Sequence, residues 1–323
     1  MNTTFTTAEK SFDVLVVGEL NVDLILNDIG KYPEIGKEVL ASQMSLTLGS
    51  SSAIFASNLS TLGSRVAFAG MLGQDNFGDH VIASLESRGV DTQYIIRSLK
   101  QNTGATIVLN FGEDRAMVTY PGAMNHLQVA DIADTAIRSA KHLHLSSVFL
   151  LPALMPDITS LFKKAKALGL TTSIDPQWDP AEKWDVNLGS LLPYVDVFMP
   201  NVTELYALTQ AGTVQQGIDR LKEAGKIVVV KHGSQGAYLW DGDTLSHQPP
   251  FLNRTVVDSI GAGDSFDAGF IHKYIRREPL HQCLEFGALA GAINTTRSGG
   301  TNAFESFSLV KTIAQSTFNY ELS

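Results

Sequence analysis

Short apolar runs recur along this chain, with longer stretches of helical spacing between most of them. Asp13–Glu19 (DVLVVGE), Val66–Gly73 (VAFAGMLG), His142–Ser147 (HLHLSS), Thr171–Asp175 (TTSID), Val195–Pro200 (VDVFMP) and Lys226–Gly233 (KIVVVKHG) each read as a strand ending on a polar, Gly or Pro element. Behind the second of them, Val81, Ile82 and Leu85 return at helical spacing. Such alternation predicts an α/β chain whose mostly parallel strands are joined by crossover helices. In an open sheet of that kind, ligands gather beyond the carboxyl ends of the strands.

Two stretches break the rhythm. Segments 24–48 and 97–122 lack a helical period, and the second holds two runs joined at Gly112-Glu113-Asp114. They predict a small antiparallel β lid inserted into the main unit. A sheet without helices of its own must bury one face elsewhere, over a cleft or against a copy of itself. The rest reads as one domain over 1–323, with 1–11 a loose tail that lacks the features of a secretory signal.

Composition narrows the partners. Of 323 residues 44% are hydrophobic, enough for a large core without disulfides or metals. A net charge of −9 argues against nucleic acid, whose phosphates demand clustered Lys and Arg. Cys283 is the sole cysteine, which excludes an internal disulfide and fits a reducing cytoplasm. Val148–Met155, an uncharged apolar run, is far too short to cross a membrane.

The chemistry concentrates in Asp258–Phe270 (DSIGAGDSFDAGF). Phe266, Phe270 and Tyr274 recur every fourth residue as one helical stripe, and Ala268 and Gly269 let that helix press on a neighbour. The run RTVVDS before them reads as a strand, so Gly261-Ala262-Gly263 becomes the turn into a helix N-terminus. Free N–H groups and the helix dipole would cradle an anion there. Asp264 then has two readings. It is a first-turn acid favoured by the dipole, or a base for a hydroxyl attacking a phosphoryl group held on the cradle. Only the second gives the bare glycines a task.

This stretch resembles the carboxyl-terminal signature of the ribokinase-like (PfkB) carbohydrate kinases, approximately D-T-x-G-A-G-D-x-F, with Ser259 in place of Thr. Other segments agree in order. GELNVDLI (Gly18–Ile25) resembles the family's first strand, and Leu48–Gly78 its amino-terminal signature, including Gly73, Asp75 and Gly78. TYPGAMN is similar to the lid-return segment, NVTEL (Asn201–Leu205) to the N-x-x-E element, and VVKHGSQGAYLW to the nucleotide-loop strand. TTRSGGTNAF (Thr295–Phe304) resembles the terminal loop. The resemblance covers nearly the whole chain and implies a three-layer αβα sandwich with an inserted β lid.

It also implies ATP-dependent phosphorylation of a hydroxyl on a small substrate, a reaction that needs positioning and charge neutralisation above all. On that reading Asp264 is the general base, and Gly261, Ala262 and Gly263 form the anion hole. Asn21, Asp23, Gly49, Ser50 and Ile54 line the sugar. Asn201, Glu204, Lys231, Gly233 and Gly236 serve ATP, with Asn201 and Glu204 steering Mg²⁺ through water. Asp258, Ile260, Arg297, Gly299 and Ala303 would hold K⁺, mainly by carbonyls, and the lids would pair two copies of the chain. Residue chemistry alone leaves Lys231 open between a phosphate ligand and a solvated strand end. It leaves Asn21 and Asp23 open between turn caps and sugar contacts. His142 and His144, with no third ligand near in sequence, read as structural; Trp178, Trp184 and Trp240 read as packing residues.

The chain departs from the family's pattern at several places. Ser50 replaces a Gly and Ile54 an Asn that often touches the sugar, which weighs against ribose itself. In DPQWDPAEKW, Gln177 stands for Asn and Asp179 for Arg, which counts against an acidic sugar. No basic pair marks a sugar phosphate, and Ala288 stands where ribokinase has an Asn near adenine. A neutral hexose or ketose, fructose first, is the expected substrate. The alternatives are a nucleoside kinase on the same fold and a sugar-binding descendant without catalysis.

Overall fold

Residues 10–111 and 114–322 are described by a computed structural model, in which the apolar runs pair as their rhythm requires. The strands are β1 (Phe12–Val17), β2 (Asn21–Asn27), β3 (Gln43–Leu48), β4 (Val66–Gly73), β5 (Asp91–Ser98), β6 (Gly104–Phe111), β7 (Asp114–Tyr120), β8 (Ala140–Ser146), β9 (Thr171–Asp175), β10 (Val197–Phe198), β11 (Ile227–Lys231), β12 (Ala237–Trp240) and β13 (Leu245–Gln248). Nine of them form one sheet in the order β13-β12-β11-β10-β9-β8-β1-β4-β5. Its strands are parallel from β11 to β5, and the antiparallel β12 and β13 close one edge.

Period-two alternation sends successive side chains to opposite faces. Val14 and Val16 pack with Phe55, Phe68 and Phe270 on one side. Leu15 and Val17 pack with Leu143, Phe162 and Val230 on the other. Helices cover both faces, giving three layers. Full burial of each of these side chains stabilises the fold by about 1.5–3 kcal/mol.

The remaining strands form a second sheet, β3-β2-β6-β7. Two antiparallel pairs, β2 with β3 and β6 with β7, join along a parallel seam between β2 and β6. The seam exists because both pairs leave the main sheet in the same direction. This register gives the sheet two unlike faces. Thr47, Asp23, Thr106 and Thr119 stand in one polar row, whereas Leu46, Leu24, Ile107 and Val118 make an apolar row on the other face.

Several expected boundaries move. The first strand stops at Val17, and Asn21 already belongs to β2, so Asn21 and Asp23 are residues of the small sheet. Residues 91–98 pair with β4 in the main sheet, and β10 keeps only Val197–Phe198. RTVVDS is not a strand. Val256 and Val257 are 59% and 58% exposed, and the Val257 N–H donates to the Thr295 carbonyl rather than to a sheet neighbour. Of the expected tail only Lys10 and Ser11, and of the expected lid turn only Asp114, lie within the described residues.

Candidate active site

The helix Ala262–Tyr274 opens at Gly261, whose φ of +75° favours glycine. A Cβ there would also stand 2.6 Å from the Gly300 Cα. Gly263 is different: its Cβ would meet only the Lys231 Nζ, at 3.8 Å. The fold therefore demands glycine at 261 but not at 263. Among the described residues, the N–H groups of Gly261 and Gly263 have no acceptor. The Ala262 N–H is used: it donates to the Ser259 carbonyl at 3.3 Å and closes the turn. The cradle expected from all three residues thus has two free donors and one committed to the turn.

Asp264 follows in the first helical turn and is 7% exposed. Burial pushes its carboxyl up to about 7, Asp175 and Glu19 add to the rise, and Lys231 and the Ser51 hydroxyl oppose it. The Gln177 Nε2 donates to Asp264 Oδ1 at 2.9 Å and to Asp175 Oδ2 at 2.7 Å. Lys231, at the end of β11, donates to Asp175 at 2.7 Å and to Asp267 at 2.9 Å. Burial alone would lower the Lys231 ammonium, but Asp175, Asp267 and Glu204 outweigh it and hold the group above the usual lysine value. Lys231 is therefore not a solvated strand end; its charge is spent on two buried acids just behind Gly263.

Asn201 caps the helix Val202–Thr209, taking the Glu204 N–H on its side chain. Glu204 answers by accepting the Asn201 N–H at 2.8 Å and its side-chain amide. This capping box accounts for both residues as structure. Glu204 is 2% exposed, and burial followed by the charge of Asp175 raises it to about 8. Among the described residues no group of three metal-ligating side chains occurs. With Glu204 raised toward neutrality and both side chains engaged with each other, Asn201 and Glu204 could reach a magnesium only through its waters. In the neighbouring turn Gly236 is required by the fold, because a Cβ would strike the Gln248 carbonyl, whereas the space beside Gly233 is open.

On the small sheet, the Asn21 amide donates to Thr106 at 2.9 Å and to Asp23 at 3.1 Å, and Thr106 meets Thr119 at 3.1 Å. Burial raises Asp23 to about 6, against the pull of its bonds to Asn21 and Thr106. Gly49 is bare because a Cβ would collide with both Asp23 and Asn21. Ser50 holds φ +74° and pays for it with two bonds, accepting the Ala53 N–H and donating to the Glu19 carbonyl. Ile54 packs on Gly261 and Gly300 and so supports the glycine turn.

The turn is strapped from below. Asp258 accepts the N–H groups of Ile260 and Gly299, each at 2.9 Å, which joins its loop to the terminal one. Asn294 donates to the Ile260 carbonyl at 2.6 Å, and Asn58 donates to Ser265 and the Gly300 carbonyl at 2.9 Å. Arg297 and Ala303 lie on the same terminal loop, Ala303 fully buried. Sequence reasoning missed Asn58, Asn294, Thr106 and Glu19. Glu19 is 1% exposed, bonds Ser52 and is raised by burial. Its signal was an acid directly after a buried strand. The others sit inside ordinary helix and strand patterns.

Two further residues of the family pattern have structural tasks. Asp75 accepts the N–H groups of Gly78 and Thr103 at 2.8 Å and the Thr103 hydroxyl at 2.7 Å, so the Gly73-Asp75-Gly78 spacing is a structural staple for the chain entering β6. Asp179 is buried and takes the N–H groups of Ala181, Lys183 and Trp184, folding its own loop.

The chain as a whole is similar to known proteins. An ATP-dependent ribose-1-phosphate kinase of Halopiger xanaduensis is 30% identical to the chain, over 90% of this chain and 94% of its own. A nucleoside kinase of Methanothermobacter thermautotrophicus is 28% identical over 93% and 94%. Among solved structures, a ribokinase II candidate from E. coli in complex with ATP and Mg²⁺ superposes with a TM-score of 0.81 at 25% identity, covering 94% of this chain and 99% of that one. The model of the pfkB family carbohydrate kinases matches residues 11–306. An acid at a glycine-cradled helix start, on this fold and across this span, has one family explanation: the chain belongs to the pfkB carbohydrate kinases, phosphotransferases with an alcohol group as acceptor.

Proposed function

We propose that the protein is an ATP-dependent kinase of a small neutral sugar, with a fructose-like ketose or hexose first. The observation that carries this is the pair formed by Asp264 and the free N–H groups of Gly261 and Gly263. Asp264 takes the proton of the sugar hydroxyl as that oxygen bonds to the γ-phosphorus and the bond to ADP breaks. The two N–H groups hold the transferring oxygens, with Ala262 shaping the turn. The polar row of Asn21, Asp23 and Thr106, opened by Gly49 and Ser50, binds the other hydroxyls. The turn at Gly233 and Gly236 would receive ATP, and Asn201 and Glu204 would steer, through water, a Mg²⁺ that supplies charge neutralisation at the phosphates. The loops of Asp258 and Ile260 and of Arg297, Gly299 and Ala303, which the Asp258 bonds bring together, would hold K⁺ mainly through carbonyls. Lys231 acts from behind the cradle.

A nucleoside kinase is the second reading, favoured by the relatives of that name. Against it, the polar row of the small sheet offers no aromatic surface for a base. Among the described residues no helix is long and apolar enough to cross a membrane.

The test is ADP release with Mg²⁺-ATP against D-fructose, D-ribose, 2-deoxy-D-ribose, other neutral sugars and nucleosides, in KCl or choline chloride. A neutral sugar should be the best acceptor, faster in KCl. Asp264→Asn should lower kcat by about 10²–10⁴. A nucleoside as best acceptor overturns the substrate, and full turnover in that variant overturns the base.

A further inference from the structure

Gln177 is the point where this chain departs from its family's pattern closest to the reacting carboxylate. Its backbone holds φ +59°, an uncommon conformation for glutamine, and its side chain reaches into the buried cluster. One nitrogen serves two acids, Asp175 at 2.7 Å and Asp264 at 2.9 Å. Both partners are acceptors, so the amide orientation is fixed: a carbonyl oxygen turned toward two carboxyls would be repelled. An asparagine, shorter by one methylene, reaches less far from the same backbone.

Behind Gln177 the charges are held rigidly. Asp175 is fully buried and also bound by Lys231, which in turn grips Asp267. Asp264 is thus faced by Asp175 on β9, Lys231 on β11, Glu19 after β1, and Glu204 on the helix Val202–Thr209, with Asp267 one helical turn on. Within this cluster the single cation touches Asp175 and Asp267, not Asp264. The link from the cation to Asp264 runs through Asp175 and the Gln177 amide.

We infer that Gln177 is a positioning residue for phosphoryl transfer: by donating to Asp264 Oδ1 from a side chain anchored on the Asp175–Lys231–Asp267 ion cluster, it sets which way the Asp264 carboxylate faces the acceptor hydroxyl. The inference rests on the reading of Asp264 as the base. Without Gln177 only the Ser51 hydroxyl would hold the carboxylate, which could then turn its lone pairs away from the acceptor, and misplacement by about 1 Å costs about 10²-fold. Donation to the ionised form also favours it.

The test uses Gln177→Met, which keeps bulk and excludes water but has no N–H to donate. With the best acceptor from the sugar panel, kcat should fall about 10²-fold. KM for Mg²⁺-ATP should stay unchanged, and the acid limb of kcat/KM should move to higher pH. Carbon-13 NMR of the aspartate carboxyls in the free enzyme, with the Asp264 signal assigned from Asp264→Asn, should show the same upward move of its midpoint without any substrate. If Gln177→Met does not fold, Gln177→Asn carries the same measurements. A folded variant with kcat, acid limb and carboxyl midpoint all as in the parent overturns the inference. Full turnover in Asp264→Asn instead overturns the base reading, and the carboxyl midpoint then still reports whether Gln177 holds Asp264.

Discussion

Lys231 carries the residue-scale argument, because its ammonium is the counter-charge of a fully buried acid pair. Removing one partner of such a group leaves uncompensated charge and costs about 3–5 kcal/mol. Lys231→Met should therefore destabilise the protein by about that amount in urea or thermal melts. Adding Asp175→Asn should recover part of it, since Asp267, pushed well up by burial, tolerates being protonated. A Lys231→Met variant as stable as the parent would show that the cluster is solvated. The same scale shows what the sequence could disclose. Asp264, Gly261 and the Asn201–Glu204 pair were legible because a short motif fixes their spacing. The partner of Lys231 was not, because Asp175 and Asp267 lie 56 and 36 residues away in the chain and meet it only through the sheet.

At the scale of elements, the helix Ala262–Tyr274 separates two kinds of glycine. Gly261→Ala forces a side chain into the left-handed region, at about 1–2 kcal/mol, and onto the Gly300 backbone. It should lose both stability and activity. Gly263→Ala adds a methyl in open helical backbone, where alanine is favoured by about 1 kcal/mol. It should melt at or above the parent temperature while kcat falls, because the methyl stands beside the N–H proposed to hold a phosphoryl oxygen. Retained turnover in Gly263→Ala would remove this N–H from the cradle. The strands of the main sheet were mostly legible, since fully buried parallel strands read as continuous apolar runs. RTVVDS imitates one: Val256 and Val257 make a short apolar run, yet among the described residues no strand pairs with them. His142 and His144 were readable as structure in outline only. Their ring nitrogens are taken by Thr171, Ser173 and Ser146 along two strands, and burial lowers His142 to about 3.

For the whole molecule, the unexplained surface is the outer face of the small sheet. Met44, Leu46, Ile107, Val118 and Tyr120 are all exposed there, Met44 and Val118 at 68% and 66%. Pairing places Leu46, Leu24, Ile107 and Val118 in one row across four strands, with parallel rows of Met44, Leu26, Leu109 and Ala116 and of Leu48, Val22, Ala105 and Tyr120. The existence of this sheet was legible from its broken rhythm, but its apolar face was not, because which residues share a face depends on the parallel seam between β2 and β6. The row of Leu48, Val22 and Ala105 packs into the main core, whereas Met44, Leu46, Ile107, Val118 and Tyr120 leave an exposed apolar patch of the kind that marks an interface. The opposite face carries Asp23 and Thr106, the residues proposed to bind the sugar, so a partner of the exposed apolar patch would come from outside this chain. If a second copy of the same sheet covers it, the contact would be isologous and would close as a dimer. The protein should then sediment at twice 34.9 kDa at micromolar concentration. Val118→Lys puts one charge in the middle row of each copy and should give monomers. Its thermal stability should differ only by the lost association, because an exposed substitution changes the folded chain by about 0.5 kcal/mol or less. A parent protein that sediments as a monomer, or a Val118→Lys dimer, would leave the face to another partner. The monomeric variant also reports on the site, because β2 and β6 carry the polar row on their other side. If pairing steadies the lid, KM for the sugar should rise in Val118→Lys while KM for Mg²⁺-ATP stays as in the parent.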